Sequence, residues 1–362
     1  MEYRILVINP GSTSTKVAVY LDKDQKWVES ISHTQEELAP FSDIYSQMDF
    51  RADLVKKCCE EHGENIEDFH AVVGRGGLLP PVHTGAYEVN QYMLDCLKYR
   101  PQLHHAANLG APIAYSIAQK AGCKAYIYDA VAVDEMEEIY RITGIKDIFR
   151  IGRGHNLNMR AAVLNLCAQK GIDYKEHNIL SVHLGGGISV GLFAHGTLID
   201  MISDDEGPFS PERAGGLPGF RIVDYCYDVY EKKDDMMKQL QRKGGLVSHF
   251  GTADSREVEK LVMAGDAHAK LVYDAMALNI AKNIAKLTVD VNGKIDYIVL
   301  TGGIAYSEYV TKAIKERVEF IAPVEVIPGE KEMDSLANGA LRVLTGDERA
   351  RILTEEEQPD VQ

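Results

Sequence analysis

The sequence predicts an α/β protein built from two similar domains, and three observations carry that reading. The chain has 362 residues, enough for two to three domains at about 150 residues each. Short β-branched runs alternate along it with longer segments of helical period. One device recurs at the scale of half the chain. An apolar strand runs into a loop of small residues and a second strand leads out of it, first over residues 4–20 and again over residues 179–193.

Taken in order, residues 4–8 and 16–20 are apolar, β-branched runs that read as a strand and its return. Residues 50–61 follow a helical pattern, 71–73 form a short buried strand, 111–121 a helix and 125–128 a strand. Residues 159–169 are helical, and 179–183 and 188–193 repeat the strand, loop and returning strand. A long helix runs from 267 to about 289, with Leu271, Ala275, Leu278, Ile280, Ile284 and Leu287 as its apolar stripe. Strands at 297–300 and 324–326 and a helix from about 334 to 344 complete the series. The expected organisation is a first domain over 1–150 and a second over 151–333, facing each other across a cleft to which each contributes a loop. The final segment, 334–362, returns to the first domain, and the polar, acidic end 354–362 is expected to fray.

Composition excludes several classes of function. Lys plus Arg number 39 against 54 Asp plus Glu, a formal charge of −15, so phosphate backbones and anionic membranes repel the chain. No apolar run approaches the roughly 20 residues of a membrane-spanning helix. The N-terminus lacks a basic segment followed by an apolar stretch and cleavage site, so it is not a signal peptide. Cysteines at 58, 59, 96, 123, 167 and 226 form no CxxC pair. Reduced core thiols are expected, with no cysteine metal site. A soluble, cytoplasmic protein is the expectation.

Three glycine-bearing turns carry the chemistry. Asn9-Pro10-Gly11-Ser12-Thr13-Ser14-Thr15-Lys16 combines a glycine, which lets backbone N–H groups approach an anion, with hydroxyl donors and a lysine. An amide at position 9 can position phosphate or a metal-bound water without adding repulsion. Alone, the segment also reads as a polar hairpin turn. His183-Leu184-Gly185-Gly186-Gly187-Ile188-Ser189 sets three glycines between two apolar strands, which weakens a sheet unless a ligand must come close. Thr301-Gly302-Gly303-Ile304-Ala305 leaves a buried strand and opens a helix, a form suited to a nucleotide at the strand's carboxyl end. No G-x-x-x-x-G-K-[ST] is present, which excludes a Walker-type phosphate loop.

These turns, their order and their flanking strands resemble the acetate and sugar kinase/actin superfamily of two-domain phosphotransferases. Within it, INPGSTSTK, VVGRGG, AANLGAPIA after a histidine, AYIYDAVAVDEME, HLGGGISV, EGPFSPERAG, GTADSREV, LTGGIAYS and PGEKEMDSLANGALRVL are similar to successive blocks of the butyrate kinase family. The blocks run from residue 5 to about 345 in family order. The resemblance implies a duplicated actin-like, ribonuclease H-like fold of the acetate kinase type. It also implies transfer of the γ-phosphoryl of ATP to butyrate, giving butanoyl phosphate and ADP with Mg2+, and assembly as a homo-oligomer. A carboxylate with a pKa near about 4–5 is already ionised and needs no general base. It needs neutralisation of crowded charge and in-line alignment.

The resemblance assigns roles residue by residue. Arg75 in VVGRGG and Arg213 in SPERAG resemble the arginines that hold the carboxylate and the transferring phosphoryl group, where the bland reading is a surface ion pair. His155 in GHNLN and His183 in HLGGG resemble donors to the phosphoryl oxygens, with a structural role for His183 left open. Either His104 or His105 matches the family's active-site histidine, and the spacing to Asn108 favours His105. Asp129 resembles the acid that fixes an arginine and the metal's water shell, and Asn9 and Glu332 resemble outer magnesium ligands. Gly11, Ser12, Ser14, Lys16, Gly185, Gly186 and Gly187 are expected on the phosphates. Asp254, Ser255 and Arg256 are expected beside adenosine, with Asp254 on the ribose or as a helix cap, and Gly302 and Gly303 beneath base and sugar. Together, 9–16 and 183–189 are expected to grip one nucleotide's terminal phosphates.

One position departs from the family. Gly154 stands where butyrate kinases carry a bulky aromatic before the matched histidine, and its loss is expected to open room for longer, branched or aryl acids against Val73 and Pro211. A kinase for such an acid is therefore the second enzyme reading. A nucleotide-dependent ATPase switch is the reading from another class. Asn9, where such switches carry an acid, and the absence of long insertions speak against it.

Overall fold

The computed structural model describes residues 2–356. Its strands are Arg4–Pro10 (β1), Ser14–Leu21 (β2), Asp24–Ser32 (β3), Ala71–Arg75 (β4), Ala86–Glu88 (β5) and Lys124–Tyr128 (β6). They continue with Asn178–Leu184 (β7), Ile188–Ala194 (β8), Thr197–Ile202 (β9), Tyr297–Thr301 (β10), Val324–Val326 (β11) and Arg351–Ile352 (β12). The chain divides into two compact units. Residues up to Glu135 and from Lys331 onward form unit 1, and Met136–Glu330 forms unit 2.

In unit 1 the described strands make one sheet in the order β12-β5-β6-β4-β1-β2-β3. β1 and β2 are antiparallel, whereas β1 with β4 and β4 with β6 are parallel. Ile5, Leu6, Val7 and Ile8 of β1 are all fully buried, because helices cover both faces of the sheet there. One cover is the helix Gly110–Ala121, which approaches β4 so closely that a Cβ on Gly74 would strike the Gly110 backbone. Another is the helix Glu332–Thr345, where Gly339 lies under the Tyr128 ring and Asp334 accepts a 2.6 Å hydrogen bond from Tyr20.

Unit 2 repeats the scheme with five strands in the order β11-β10-β7-β8-β9. Here too a hairpin strand pair, β7 and β8, is antiparallel, and the first of them runs parallel to a later strand, β10. The sequence β3-β2-β1-β4-β6 thus has its counterpart in β9-β8-β7-β10-β11, a mixed α/β sheet made twice. The long helix Ala267–Lys286 buries Val272, Tyr273, Met276, Ala277, Ile280 and Ile284 against the helices Ser255–Met263 and Glu308–Val318 and the sheet. Its apolar stripe is therefore turned from the expected one. Leu271 and Leu278 are exposed, because Val272, Tyr273, Met276 and Ala277 form the buried face in their place.

Among the described residues no helix is long and apolar enough to cross a membrane. All six cysteines are free, and burial pushes the thiols of Cys58 and Cys59 up to about 12, so neither is a thiolate near neutrality. The acidic end expected to fray lies, from residue 357 onward, outside the described residues.

Candidate active site

In unit 1 the β1–β2 hairpin closes tightly, with the Gly11 N–H on the Ser14 carbonyl at 2.7 Å. Asn9 pairs with Lys16 in register, so both side chains leave the same face of the sheet. Ser12 and Lys16 are exposed, and Gly11 and Ser14 are partly so. The Asn9 amide donates to Glu332 Oε2 at 2.7 Å, and Arg75, the last residue of β4, pairs with Glu332 Oε1. Glu332 therefore holds Asn9 and Arg75 side by side. Arg75 Nε is buried without an acceptor, a donor left for an anion.

His105 caps the turn Ala106–Leu109, accepting from the Ala107 N–H at 3.1 Å. Burial first, and the Arg75 guanidinium second, hold its pKa below the usual histidine range. His104 and His105 are both exposed, and His105 lies in the field of Arg75. Asp129 ends up buried after β6 with φ +41, and its Oδ1 accepts from the Gly85 N–H at 2.7 Å. That bond ties the residue before β5 to the residue after β6, and a non-glycine residue at positive φ marks a locally over-determined site.

In unit 2, His155 and His183 stack with ring centroids 3.9 Å apart. His155 Nδ1 lies 3.1 Å from the Ser189 hydroxyl, and His183 Nε2 lies 3.4 Å from a Glu330 carboxylate oxygen. Gly185, Gly186 and Gly187 form the turn between β7 and β8, closed by a Gly185 N–H to Gly187 carbonyl bond of 3.1 Å. The Ser210 hydroxyl and the Glu212 N–H both bind the Gly186 carbonyl, at 2.6 and 3.2 Å. These straps bring the SPER segment, and Arg213 with it, to the glycine turn. Arg213 is held by Asp204 at 2.9 Å, Glu212 at 3.3 Å and the Gln241 carbonyl.

A cavity of about 1090 Å³ opens in unit 2 over Gly185, Gly186, Asp254, Arg256, Gly303 and Glu330. It joins the second and third glycine turns to the segment expected beside adenosine. Gly302, next to Gly303, has φ +93 and two backbone bonds to Gly329 at 3.2 and 2.9 Å. Asp254 is the N-cap of Ser255–Met263, accepting from the Arg256 N–H at 2.9 Å. Its ion pair with Arg256 holds its carboxyl at about 2, so Asp254 stays an anionic acceptor.

Gly154 does not open onto empty space. A Cβ there would sit 2.8 Å from the Ser189 hydroxyl and 2.9 Å from the Met201 sulfur. The space expected from a missing aromatic is filled by these two side chains, and the glycine lets His155 reach Ser189. Val73 is fully buried in β4, and Pro211 lines the unit 2 cavity.

Sequence reasoning missed Arg51, Asp204 and Glu330, and it gave Ser189 and Ser210 no role beyond their motifs. Arg51 had a legible signal. It sits on the apolar stripe of its own helix, in step with Val55 and Cys58 and Cys59, yet it is fully buried.

Known proteins are similar to this chain in sequence and in fold. The model of the Acetokinase family matches residues 160–352. The chain is 44% identical over 353 residues to a protein described as Butyrate kinase 2 from Clostridium acetobutylicum, covering 97% of this chain and 99% of that one. It is also 44% identical over 354 residues to a probable butyrate kinase from Coprothermobacter proteolyticus, covering 97% and 99%. Among solved structures, Porphyromonas gingivalis acetate kinase superposes with a TM-score of 0.77 at 16% identity, over 94% of this chain and all of that one. Entamoeba histolytica acetate kinase gives 0.75 at 18% identity, over 95% and 100%. At that identity the structural likeness speaks for the fold.

Proposed function

Since the chain belongs to the acetokinase family, we propose that it is a carboxylate kinase that interconverts butyrate and ATP with butanoyl phosphate and ADP. The near-full-length likeness to butyrate kinases carries the reading. Butyrate is ionised at neutral pH, so its oxygen attacks without a base, and the protein's task is to offset charge and align reactants.

Each unit offers part of that machinery. In unit 1, Arg75 has an unoccupied buried Nε and Asn9 an amide, both fixed by Glu332, with Lys16 on the same face as Asn9. Arg75 would hold the carboxylate, and His105, kept neutral, would donate a hydrogen bond rather than repel the arginine. In unit 2 the cavity would take the nucleotide, with its phosphates on the Gly185–Gly187 amides and near His183, His155 and Arg213. Asp254, Ser255 and Arg256 would meet the ribose and base, with Gly302 and Gly303 beneath them.

The Glu332 oxygens each take one donor, from Asn9 and Arg75, and retain lone pairs. That suits a magnesium ion that keeps its waters and leans on one carboxylate, with Asn9 as the second outer partner. Magnesium supplies neutralisation of phosphate charge. A homo-oligomer in the cytoplasm belongs to the same proposal, and a monomer in sedimentation velocity would remove that part.

Hydroxamate formation tests the reaction, because acyl phosphates trap hydroxylamine. With ATP and magnesium, kcat/KM should peak at butyrate among acetate, butyrate, isovalerate and phenylacetate. A sharp optimum at acetate would remove butyrate. Release of phosphate from ATP without hydroxamate would remove the kinase altogether.

A further inference from the structure

The hairpin loop of unit 1 rests on a buried arginine. Arg51, in the helix Met48–Glu61, is 1% exposed, and its guanidinium points into the underside of the loop. One nitrogen donates to the carbonyls of Gly11 at 2.8 Å and Ser14 at 3.1 Å and to the Thr15 hydroxyl at 3.2 Å. The other donates to the Ser12 carbonyl at 3.1 Å, and Gln47 accepts from behind at 2.8 and 3.1 Å. The one remaining carbonyl, that of Thr13, accepts from the His33 N–H at 2.8 Å. All four carbonyls from Gly11 to Ser14 are therefore occupied, three of them by Arg51.

Two consequences follow. A loop whose carbonyls are all occupied offers none of them to repel an incoming anion, and Ser12 and Thr13 stay exposed at its tip. The charge is also uncompensated. Every acceptor of Arg51 is neutral, and among the described residues it forms no ion pair with a carboxylate. A buried guanidinium without a counter-ion is costly unless charge arrives from outside. His33, whose ring meets the Thr15 hydroxyl at 2.8 Å, supplies none, and burial followed by the Arg51 charge keeps its pKa low.

We propose that Arg51 is a positioning residue for phosphoryl transfer, shaping the loop from Gly11 to Ser14 into an anion cradle and lending it a positive charge from beneath. This rests on the reading of that loop as a phosphate-binding element. A purely architectural arginine would be expected to pair with a carboxylate, whereas this one serves only loop backbone, one hydroxyl and one amide.

The test compares Arg51→Met, Arg51→Lys and Gln47→Ala, with Lys16→Ala as the loop control, in hydroxamate assays and thermal unfolding. Arg51→Met should raise the KM for ATP at least about tenfold, the scale of one lost charge-assisted hydrogen bond. Arg51→Lys, which keeps the charge, should fall between it and the parent. The KM for butyrate should stay within about threefold, since Arg75 is untouched. If Arg51→Met does not fold, Gln47→Ala, which loosens the guanidinium from behind, should raise the KM for ATP in the same direction. An unchanged KM for ATP in folded variants overturns the inference, as does a loss of thermal stability and activity that is equal in the Lys and Met variants. Should Lys16→Ala also leave the KM for ATP unchanged, the phosphate reading of the loop fails and takes this role with it. A defect in Lys16→Ala alone removes only the role of Arg51.

Discussion

Gly302 and Gly303 are neighbours, yet a single methyl group on each should have opposite consequences. Gly302 has φ +93 and ψ 177, a region adopted almost only by glycine, where a side chain costs of order 1–3 kcal/mol. A Cβ there would lie 2.8 Å from both the N and the carbonyl C of Leu184, and nearer still to its oxygen. Those are backbone atoms of β7, so relief requires β7 and β10 to part where Thr301 pairs with His183. Parting them endangers the two bonds between Gly302 and Gly329, each worth about 1 kcal/mol. The total is about 3–5 kcal/mol, or roughly 10 °C in Tm for a unit of this size. Gly303 has nothing within 4 Å of its added Cβ and lines the cavity. Gly303→Ala should leave Tm near that of the parent and raise the KM for ATP several-fold. Thermal unfolding and ATP titration of both variants decide the matter. A Gly302→Ala protein that melts within about 2 °C of the parent would refute the strain reasoning, and a Gly303→Ala protein with parental KM for ATP would take the nucleotide out of this cavity.

Three further outcomes are expected. Arg213→Ala should lower kcat about a hundredfold or more with an unchanged far-UV spectrum, and a near-normal kcat would take Arg213 out of the catalytic set. Glu332→Gln should raise the magnesium concentration for half-maximal rate, because the anchor of Asn9 and Arg75 loses its charge; an unchanged magnesium dependence would remove Glu332 from that role. Burial first, then Asp200, push Asp290 up to about 6, while burial also raises Asp200. A carboxyl raised on folding stabilises most below its unfolded value near 4 and loses that stabilisation as pH climbs through about 6. Asp290→Asn should therefore melt with a flatter pH dependence between about 4 and 7 than the parent, and parallel slopes would show that Asp290 is not the responsible group.

Most strands that sequence revealed are buried on both faces, the edge strand β11 being an exception. Residues 4–8, 179–183 and 297–300 are unbroken apolar runs because β1, β7 and β10 are central in their sheets. β3 and β9 stayed hidden at the edges. The sequence of β3, DQKWVESIS, shows charge on its open side and is placed by pairing with β2, a tertiary effect. The chemistry-bearing turns were legible because glycines set between apolar strands weaken the sheet, a cost that close approach of a ligand offsets. Their supports were not. Asp204 and Glu330 act through contacts made by folding, and the space expected beside Gly154 was lost to Met201, 47 residues further on. Arg51 was visible only as a charge on an apolar stripe, which a sequence reads first as an error in phase.

The duplicated topology suits the two units to different ligands. β4 leads through Arg75 into Gly76 and Gly77, and β10 leads through Thr301 into Gly302 and Gly303, at matching places beside β1 and β7. The same turn is closed in one unit and open in the other. A Cβ on Gly76 would strike Ala130 and one on Gly77 would strike Asn108, whereas Gly303 meets nothing. Unit 1 has thus filled the space a base and sugar would need and set charged or amide groups, Asn9 and Arg75, at the strand ends. Unit 2 has kept the space and set Thr301 and the histidine His183 there. On these grounds small anions suit the first turn and a base and sugar the second, in keeping with the proposed placing of the acid and of adenosine.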